Sequence, residues 1–130
     1  MNSAIEFHDS EVAAVEPSAG ALDIRFSAAY VHRSEGEPGR DPGAGYLQAV
    51  HLRFEHTVWS GEPADCVGKL SDGDLFLDDV NIGLVPLPYA AEGRVRFRLN
   101  FANGAELAVE ALSVALAQAG EARFVENFKC

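Results

Sequence analysis

The sequence predicts an all-β domain, an antiparallel meander of about eight or nine strands that is closed as a barrel or folded as a sandwich. The first observation is alternation: from 94 to 101, apolar residues alternate with arginines and an asparagine, the period of a strand with one buried face. The second is that such stretches are separated by short turns rich in Gly, Pro, Asn and Asp. The third is size, since 130 residues with 48% hydrophobic content suit a single core, and we expect one domain over 1–130.

The central hairpin is predicted around Asn103-Gly104, a dipeptide that favours a tight turn. Directly opposite residues of an antiparallel pair point to the same face, so the loop length decides the pairing. A two-residue loop would place Phe101 opposite Glu106 and mix the two faces. A three-residue loop, 102–104 with glycine in the left-handed position, keeps them separate. The predicted pairs are then Phe101 with Ala105, Leu99 with Leu107, Phe97 with Val109, and Arg96 with Glu110.

A second hairpin is predicted near the N terminus, where 12–15 and 22–30 flank a Pro-Ser-Ala-Gly tetrad at 17–20. The second of these strands alternates cleanly between apolar and polar residues. A loop of four residues would place Leu22 opposite Val15, which brings apolar side chains together across the pair.

The middle of the chain contains a predicted loop and a predicted long strand. Residues 33–45 include four glycines and two prolines and have no periodic apolar position, so we expect a flexible loop there. Residues 46–59 alternate over fourteen positions, which indicates a bent strand that serves two sheets or one strand that crosses a barrel.

Shorter strands are predicted after it. The stretches 66–70 and 75–77 flank an Asp-Gly pair at 72–73, a hairpin signal. The apolar run 80–87 follows, and its proline cannot donate to a β ladder, which places the run at an edge.

The C-terminal third leaves a choice between strand and helix. Residues 105–119 are rich in alanine and leucine, so a short helix is the alternative. We favour a strand, because the Asn-Gly turn leads directly into alternation at Leu107 and Val109. A second alternating set at Leu112, Val114 and Leu116 requires one bulge near Ala111. A last strand is predicted over 123–128.

Charge narrows the range of partners. The formal net charge is -10, from 20 acidic and 10 basic residues, which repels phosphate backbones and anionic lipid surfaces. We therefore expect no nucleic acid and no membrane as partner. A basic protein is the partner that the charge favours. The oligomeric state does not follow from these patterns.

The cellular location is inferred from the N-terminal residues and the cysteines. The first residues show neither a basic region nor a long apolar stretch, so we expect a cytoplasmic protein. Cys66 and Cys130 do not make a disulfide framework and lack metal-ligand spacing, and we expect two free thiols.

Residues with catalytic or metal-binding chemistry are few. His8, Asp9 and Ser10 are the residue types of a hydrolase triad, but three consecutive residues cannot form its hydrogen-bonded chain. His51 and His56 are predicted to project from opposite faces of one strand and so cannot share an ion. We therefore expect no enzyme activity, no catalytic residue, no cofactor and no metal site.

Clustered aspartates provide the candidate binding site. We expect them around an exposed turn, with the three arginines of 94–98 on the opposite face of the sheet. Exposed carboxylates increase the rate of association with a basic partner, and the alternative is a solvated hairpin tip without a partner. The candidate binding residues are Asp72, Asp74, Asp78 and Asp79.

The stretch 7–12 reads Phe-His-Asp-Ser-Glu-Val. It resembles the Phe-His-Asp-Ala/Ser-Glu-Val start found in small bacterial immunity-type proteins of polymorphic toxin systems, in which a β-rich domain neutralises a secreted toxin domain. The resemblance implies a toxin-neutralising binding domain and no catalytic role for these residues.

The expected function is therefore that of a non-enzymatic, acidic, protein-binding domain, with toxin neutralisation as the form that the resemblance implies. The alternative is a small-ligand-binding β-barrel, because barrels of about eight strands can hold one ligand. A filled interior would count against that alternative. The side chains expected to fill the interior are Phe26, Phe54, Phe97, Leu99 and Phe101.

Overall fold

The computed structural model describes residues 1–128, which form ten strands and one turn of 3-10 helix at Pro63–Asp65. All pairings between these strands are antiparallel, and the described residues contain no α-helix. The strands are β1 (Asn2–Ser18), β2 (Ala21–Ser34), β3 (Gly43–Glu55), β4 (Val58–Ser60), β5 (Gly68–Leu77), β6 (Val80–Asn81), β7 (Val85–Leu87), β8 (Tyr89–Phe101), β9 (Glu106–Gln118) and β10 (Arg123–Phe128).

Six of these strands close into a barrel. Their order is β3-β2-β1-β5-β8-β9, and β9 pairs back with β3. Of the remaining strands, β4 pairs with β9, β6 with β5, β7 with β1 and β10 with β3. The predicted all-β antiparallel fold is confirmed, and the barrel is the form that it takes. The strand number exceeds the prediction because the runs at 46–59 and 80–87 each divide into two strands, while 66–70 and 75–77 join into β5.

The central hairpin has the predicted three-residue loop. The Phe101 amide donates to the Ala105 carbonyl at 2.9 Å, and Gly104 has a left-handed φ of 92°. The segment 105–119 is therefore a strand rather than a helix, as favoured from the turn that precedes it. The pairs formed include Leu99 with Leu107, Phe97 with Val109, and Arg96 with Glu110.

β9 changes its buried face once, close to the predicted bulge. Up to Ala111 the buried residues of β9 are at odd-numbered positions, whereas Val114 and Leu116 are buried at even-numbered positions. The inward-facing positions therefore shift by one residue between 111 and 114. The extra residue lies in the partner strand, within 92–95 of β8. Leu112 was predicted to share a face with Val114 and Leu116, but it is exposed because it lies where the switch occurs.

The N-terminal hairpin is present, with a shorter loop than the four residues considered above. The loop between β1 and β2 has two residues, and its Gly20 has a φ of 72°. Leu22 therefore lies opposite Pro17 rather than Val15. The difference is a shift of two residues, which leaves each side chain on its own face.

The Asp-Gly pair at 72–73 does not form a turn, contrary to the prediction, because it lies inside β5. A Cβ atom on Gly73 would lie 2.6 Å from Leu99 Cδ2 and 2.9 Å from Phe7 Cβ. Glycine is needed at this position because two core side chains pack against the backbone, and not for its turn geometry. The chain instead reverses at 78–79, where both residues have positive φ.

The strand predicted over 46–59 is divided into β3 and β4. His56 lies between them with a φ of 55°, but both strands pair with β9 in one continuous register. β4 thus extends beyond the point where the barrel closes and forms an edge of the sheet. The preceding loop covers 35–42, shorter than the predicted 33–45, because the flanking residues pair within β2 and β3. Its flexibility stays a prediction.

The barrel interior is filled by large side chains. The Phe97 ring lies 5.1 Å from the Phe54 ring and 5.3 Å from the Phe7 ring, and Phe7 also contacts Phe26. Aromatic rings at these separations fill the centre of a six-stranded barrel. The five side chains predicted to lie inside are all buried: Phe26, Phe54, Phe97, Leu99 and Phe101.

Replacing Gly104 by alanine should destabilise the domain by about 1–2 kcal/mol, because an L-residue is strained at a left-handed φ. No atom lies within 4 Å of the added methyl group, so the loss would report backbone strain alone. Gly120→Ala is the matched control, since its Cβ would make an ordinary 3.5 Å contact with Ala49. Urea unfolding of both variants measures the difference, and equal stabilities would contradict the loop geometry.

Candidate functional site

The groove face is the outward surface of β4, β9, β8 and β5. A groove of about 550 Å³ lies on it, open to solvent. Cross-strand pairing arranges the outward side chains of the four strands in two rows. One row runs Val58, Glu110, Arg96, Phe76, and the other runs Ser60, Ala108, Arg98, Asp74.

Apolar side chains are exposed at both ends of the groove face. Val58 is 64% exposed on the edge strand β4, whereas Trp59, which is 37% exposed, pairs with the buried Val109 and so points to the other face of that strand. On the opposite side, Phe76 lines the groove with the Arg96 guanidinium 5.2 Å from its ring centre. Exposed apolar groups rimmed by charges are typical of protein interaction surfaces.

The predicted acidic residues lie along one side of the groove face. Asp72 accepts a hydrogen bond from the Asn100 amide at 2.7 Å, and Asp74 stands opposite Arg98. The Asp78 carboxylate accepts from the Arg94 backbone amide at 2.9 Å. All four lie on β5 or on the turn that follows it, so the structure brings them together along one edge.

The arginines share this face, contrary to the prediction that they lie opposite. Asp79 forms ion pairs with Arg94 and Arg96. Arg98 is the direct cross-strand neighbour of Asp74, and directly opposite residues point to the same side. Because the predicted turn at 72–73 is instead strand, the aspartates lie beside β8 and part of their charge is compensated locally.

A second cluster forms where the 7–12 motif lies. Residues 7–10 bulge from β1, since four residues stand opposite the single residue Ala29 of β2. Phe7 points into the core, and the buried Ser10 hydroxyl fills the gap in the ladder. It donates to the Glu6 carbonyl at 2.6 Å and accepts from the Tyr30 amide at 2.9 Å. Residues 8 and 9, between the buried Phe7 and Ser10, are therefore left on the outer surface by the bulge.

The bulge brings together four polar side chains that no pattern in the sequence had grouped. The ligand atoms of Glu6, His8 and Asp9 all lie within 4.8 Å of one another. His8 Nδ1 is 3.2 Å from Asp9 Oδ2, and His32 Nε2 of β2 is 3.4 Å from Glu6 Oε1. From the sequence, His8 and Asp9 are residue types of a triad and part of the 7–12 motif, and the four histidines at 8, 32, 51 and 56 are the possible metal ligands. The grouping of His8 and Asp9 with Glu6 and His32 depends on the bulge and on strand pairing.

Tyr30 and the C-terminal strand pack beside this cluster. The Tyr30 hydroxyl donates to the Glu126 carboxylate at 2.5 Å, and His32 stacks on the Phe128 ring at 4.8 Å. Burial, and then the hydrogen bond to Glu126, raises the pKa of Tyr30 above its usual value. The phenol thus stays protonated and fixes β10 against β2.

The thiol of Cys66 is buried beneath the β5 end of the barrel and forms no disulfide among residues 1–128. Burial, followed by the nearby carboxylates of Asp65 and Glu62, raises its pKa, which keeps the thiol protonated and unreactive. Cys130, the other predicted free thiol, lies outside the described residues.

Comparison of the chain with models of known protein families, with curated proteins and with solved structures gives no match. Within residues 1–128, no helix has the length and apolar character needed to span a bilayer. The functional proposals below therefore rest on the geometry of this chain.

Ser10→Ala should destabilise the domain by about 1–3 kcal/mol, because the buried Tyr30 amide would lose its acceptor. Ser27→Ala removes an exposed hydroxyl whose bond to the Glu11 carbonyl is 3.4 Å long, and it should change stability by less than about 0.5 kcal/mol. Thermal melts of the two variants provide the comparison. If both lost the same stability, the Ser10 hydroxyl would not be what completes the ladder at the bulge.

Proposed function

We propose that this chain is a non-enzymatic protein-binding domain that docks a basic protein on its groove face. The observation that carries the proposal is a groove flanked by apolar side chains at both ends, the exposed Val58 on one side and the partly exposed Phe76 on the other. Burying these apolar groups against a partner would provide affinity, and phenylalanine is among the side chains enriched in interfaces.

Charge complementarity favours a basic partner. The groove face carries four basic side chains, three arginines and Lys69, against six carboxylates, so it is acidic in spite of the local ion pairs, and the whole chain has a net charge of -10. The carboxylates surround the groove and attract a basic surface at long range, while the arginines provide fixed hydrogen-bond donors within it. The six carboxylates are those of Asp72, Asp74, Asp78, Asp79, Glu106 and Glu110.

Toxin neutralisation is the specific form of protein binding that we propose, and it rests on the resemblance of 7–12 to immunity-type proteins. The motif itself has a structural role in this chain, since Phe7 enters the core and Ser10 completes the ladder. The resemblance to immunity-type proteins therefore concerns the residues that shape β1. The docking surface would be provided by the groove face.

The alternative function, a ligand held inside the barrel, receives no support from the interior. The Phe54 and Phe97 rings meet at its centre, 5.1 Å apart. A ligand of drug-like size needs a cavity of roughly 300 Å³ or more. The groove described above lies on the outer surface, where it is suited to side chains from a partner protein.

Replacing the four aspartates by asparagine should slow association with the partner by roughly tenfold or more at low salt, and less at high salt, because long-range attraction is screened by ions. Asparagine suits this test because it tolerates the positive φ at 78–79 and preserves a side-chain acceptor. The partner is first purified from the source organism, beginning with the product of the adjacent gene, and stopped-flow mixing gives the rates. The variant is Asp72→Asn, Asp74→Asn, Asp78→Asn, Asp79→Asn.

The matched control removes the same charge elsewhere, through glutamine at four exposed glutamates. If the two variants associate at equal rates, total charge rather than the groove face guides the encounter, and the assigned interface is wrong. The control substitutions are Glu16→Gln, Glu35→Gln, Glu55→Gln and Glu121→Gln.

Val58→Ala should act mainly on the complex after it has formed, increasing the dissociation rate by about fivefold, as expected for loss of an apolar contact of about 1 kcal/mol. Val125→Ala is the control, since Val125 is also exposed and apolar but lies on β10 at the other end of the sheet. Surface plasmon resonance separates the two rate constants. A Val58→Ala complex as long-lived as that of Val125→Ala would contradict docking at the groove.

A further inference from the structure

We propose that Glu6, His8 and Asp9 form a surface binding site for a divalent transition-metal cation, with Zn²⁺ as the best fit, and that His32 positions Glu6. The site lies on the bulge of β1 and shares no residue with the groove face. The proposal therefore stands independently of the function proposed above.

The first argument is the chemistry of the donor atoms. One imidazole and two carboxylates provide the nitrogen and oxygen ligands that Zn²⁺ takes in sites with three protein ligands. The imidazole argues against Mg²⁺ and Ca²⁺, which prefer oxygen ligands alone. All three ligand atoms lie within 4.8 Å of one another, and His8 and Asp9 are exposed, so small side-chain rotations can complete the geometry.

The second argument is distance. Bond lengths of about 2.0–2.1 Å at tetrahedral angles place two ligand atoms about 3.3–3.4 Å apart. His8 Nδ1 and Asp9 Oδ2, two of the three ligand atoms, are 3.2 Å apart. This separation is longer than a strong charge-assisted hydrogen bond and close to the edge of a zinc tetrahedron.

The third argument is the state of His32. Its side chain is only 12% exposed, and neither ring nitrogen has a hydrogen-bond partner, although Nε2 faces Glu6. The ring is fixed by stacking on Phe128 and by an edge contact with Tyr30. Carboxylate ligands of metals are usually supported by a hydrogen bond from a neighbouring group, and His32 Nε2 lies where it can donate one to Glu6.

The backbone supports this arrangement. Asp9 has a φ of 67°, a conformation that non-glycine residues seldom adopt. This conformation is a result of the bulge, which the Ser10 hydroxyl stabilises by its hydrogen bond to the Glu6 carbonyl. Consecutive residues of a regular strand point to opposite faces, so His8 and Asp9 could not share an ion without the bulge. With three protein ligands, the fourth position remains open to water.

Calorimetric titration of the full chain with ZnCl₂ tests the site. We expect one Zn²⁺ per chain, a melting temperature that rises with ZnCl₂, and no binding of MgCl₂. His8→Ala and Asp9→Asn should each weaken zinc binding by more than about 100-fold, since each removes a ligand. His51→Ala removes an exposed imidazole from β3 and should leave the affinity unchanged. All proteins carry Cys130→Ser, so that a terminal thiol does not compete for the metal.

His32→Phe separates a positioning role from a structural one. Phenylalanine preserves the stack on Phe128 but not the ring nitrogens, so the metal-free melt should be unchanged while the zinc affinity falls by about 10- to 100-fold. The proposal is overturned if the wild-type chain binds no zinc, or if zinc binding survives both His8→Ala and Asp9→Asn. Both of these substitutions alter exposed side chains, and circular dichroism verifies that the variants are folded.

Discussion

Closure of the sheet, by pairing of β3 with β9, is the constraint on which the rest of the structure depends. The pairing runs from Val50 with Gln118 to Glu55 with Ser113. It joins two strands that are distant in the chain and leaves the six barrel strands without an unpaired edge among themselves. The same register continues into β4, so closure also produces the short exposed edge that carries Val58. The enclosed core and the candidate docking surface thus have a common origin.

The small size of the barrel explains why its functional chemistry is expected on the outside. Six strands enclose little space, and the Phe7, Phe54 and Phe97 rings occupy it. Gly73 allows this packing, because any side chain there would collide with Leu99 and Phe7. An interior of this kind stabilises the fold, and close packing of this density leaves little scope for rearrangement. Variation in the outward side chains can then alter function at small cost in stability.

The two surfaces proposed as sites differ in physical character. The groove face combines apolar contact area with mixed charges, and the ion pairs of Asp79 with Arg94 and Arg96 hold its rim in place. Such exposed pairs contribute little to folding, and in the proposed docking role they would orient charge for a partner. The bulge cluster has little apolar area, but it concentrates nitrogen and oxygen donors beside a partly buried histidine. One surface is suited to a protein and the other to an ion.

The sequence by itself determined the features that depend on residues close together in the chain. The hairpin of 94–111 was predictable in full, because the Asn-Gly turn and the alternation of both strands agree on a single register. The loop at 17–20 was not, since a shift of two residues leaves every side chain on its own face. Tertiary structure alone decided why Gly73 is glycine, because its reason is contact with Phe7 rather than a turn. It also decided the surroundings of His8, since a bulge of four residues brings Glu6 to it and the neighbouring strand places His32 beside Glu6. No local pattern encodes contacts that arise only when distant segments pair.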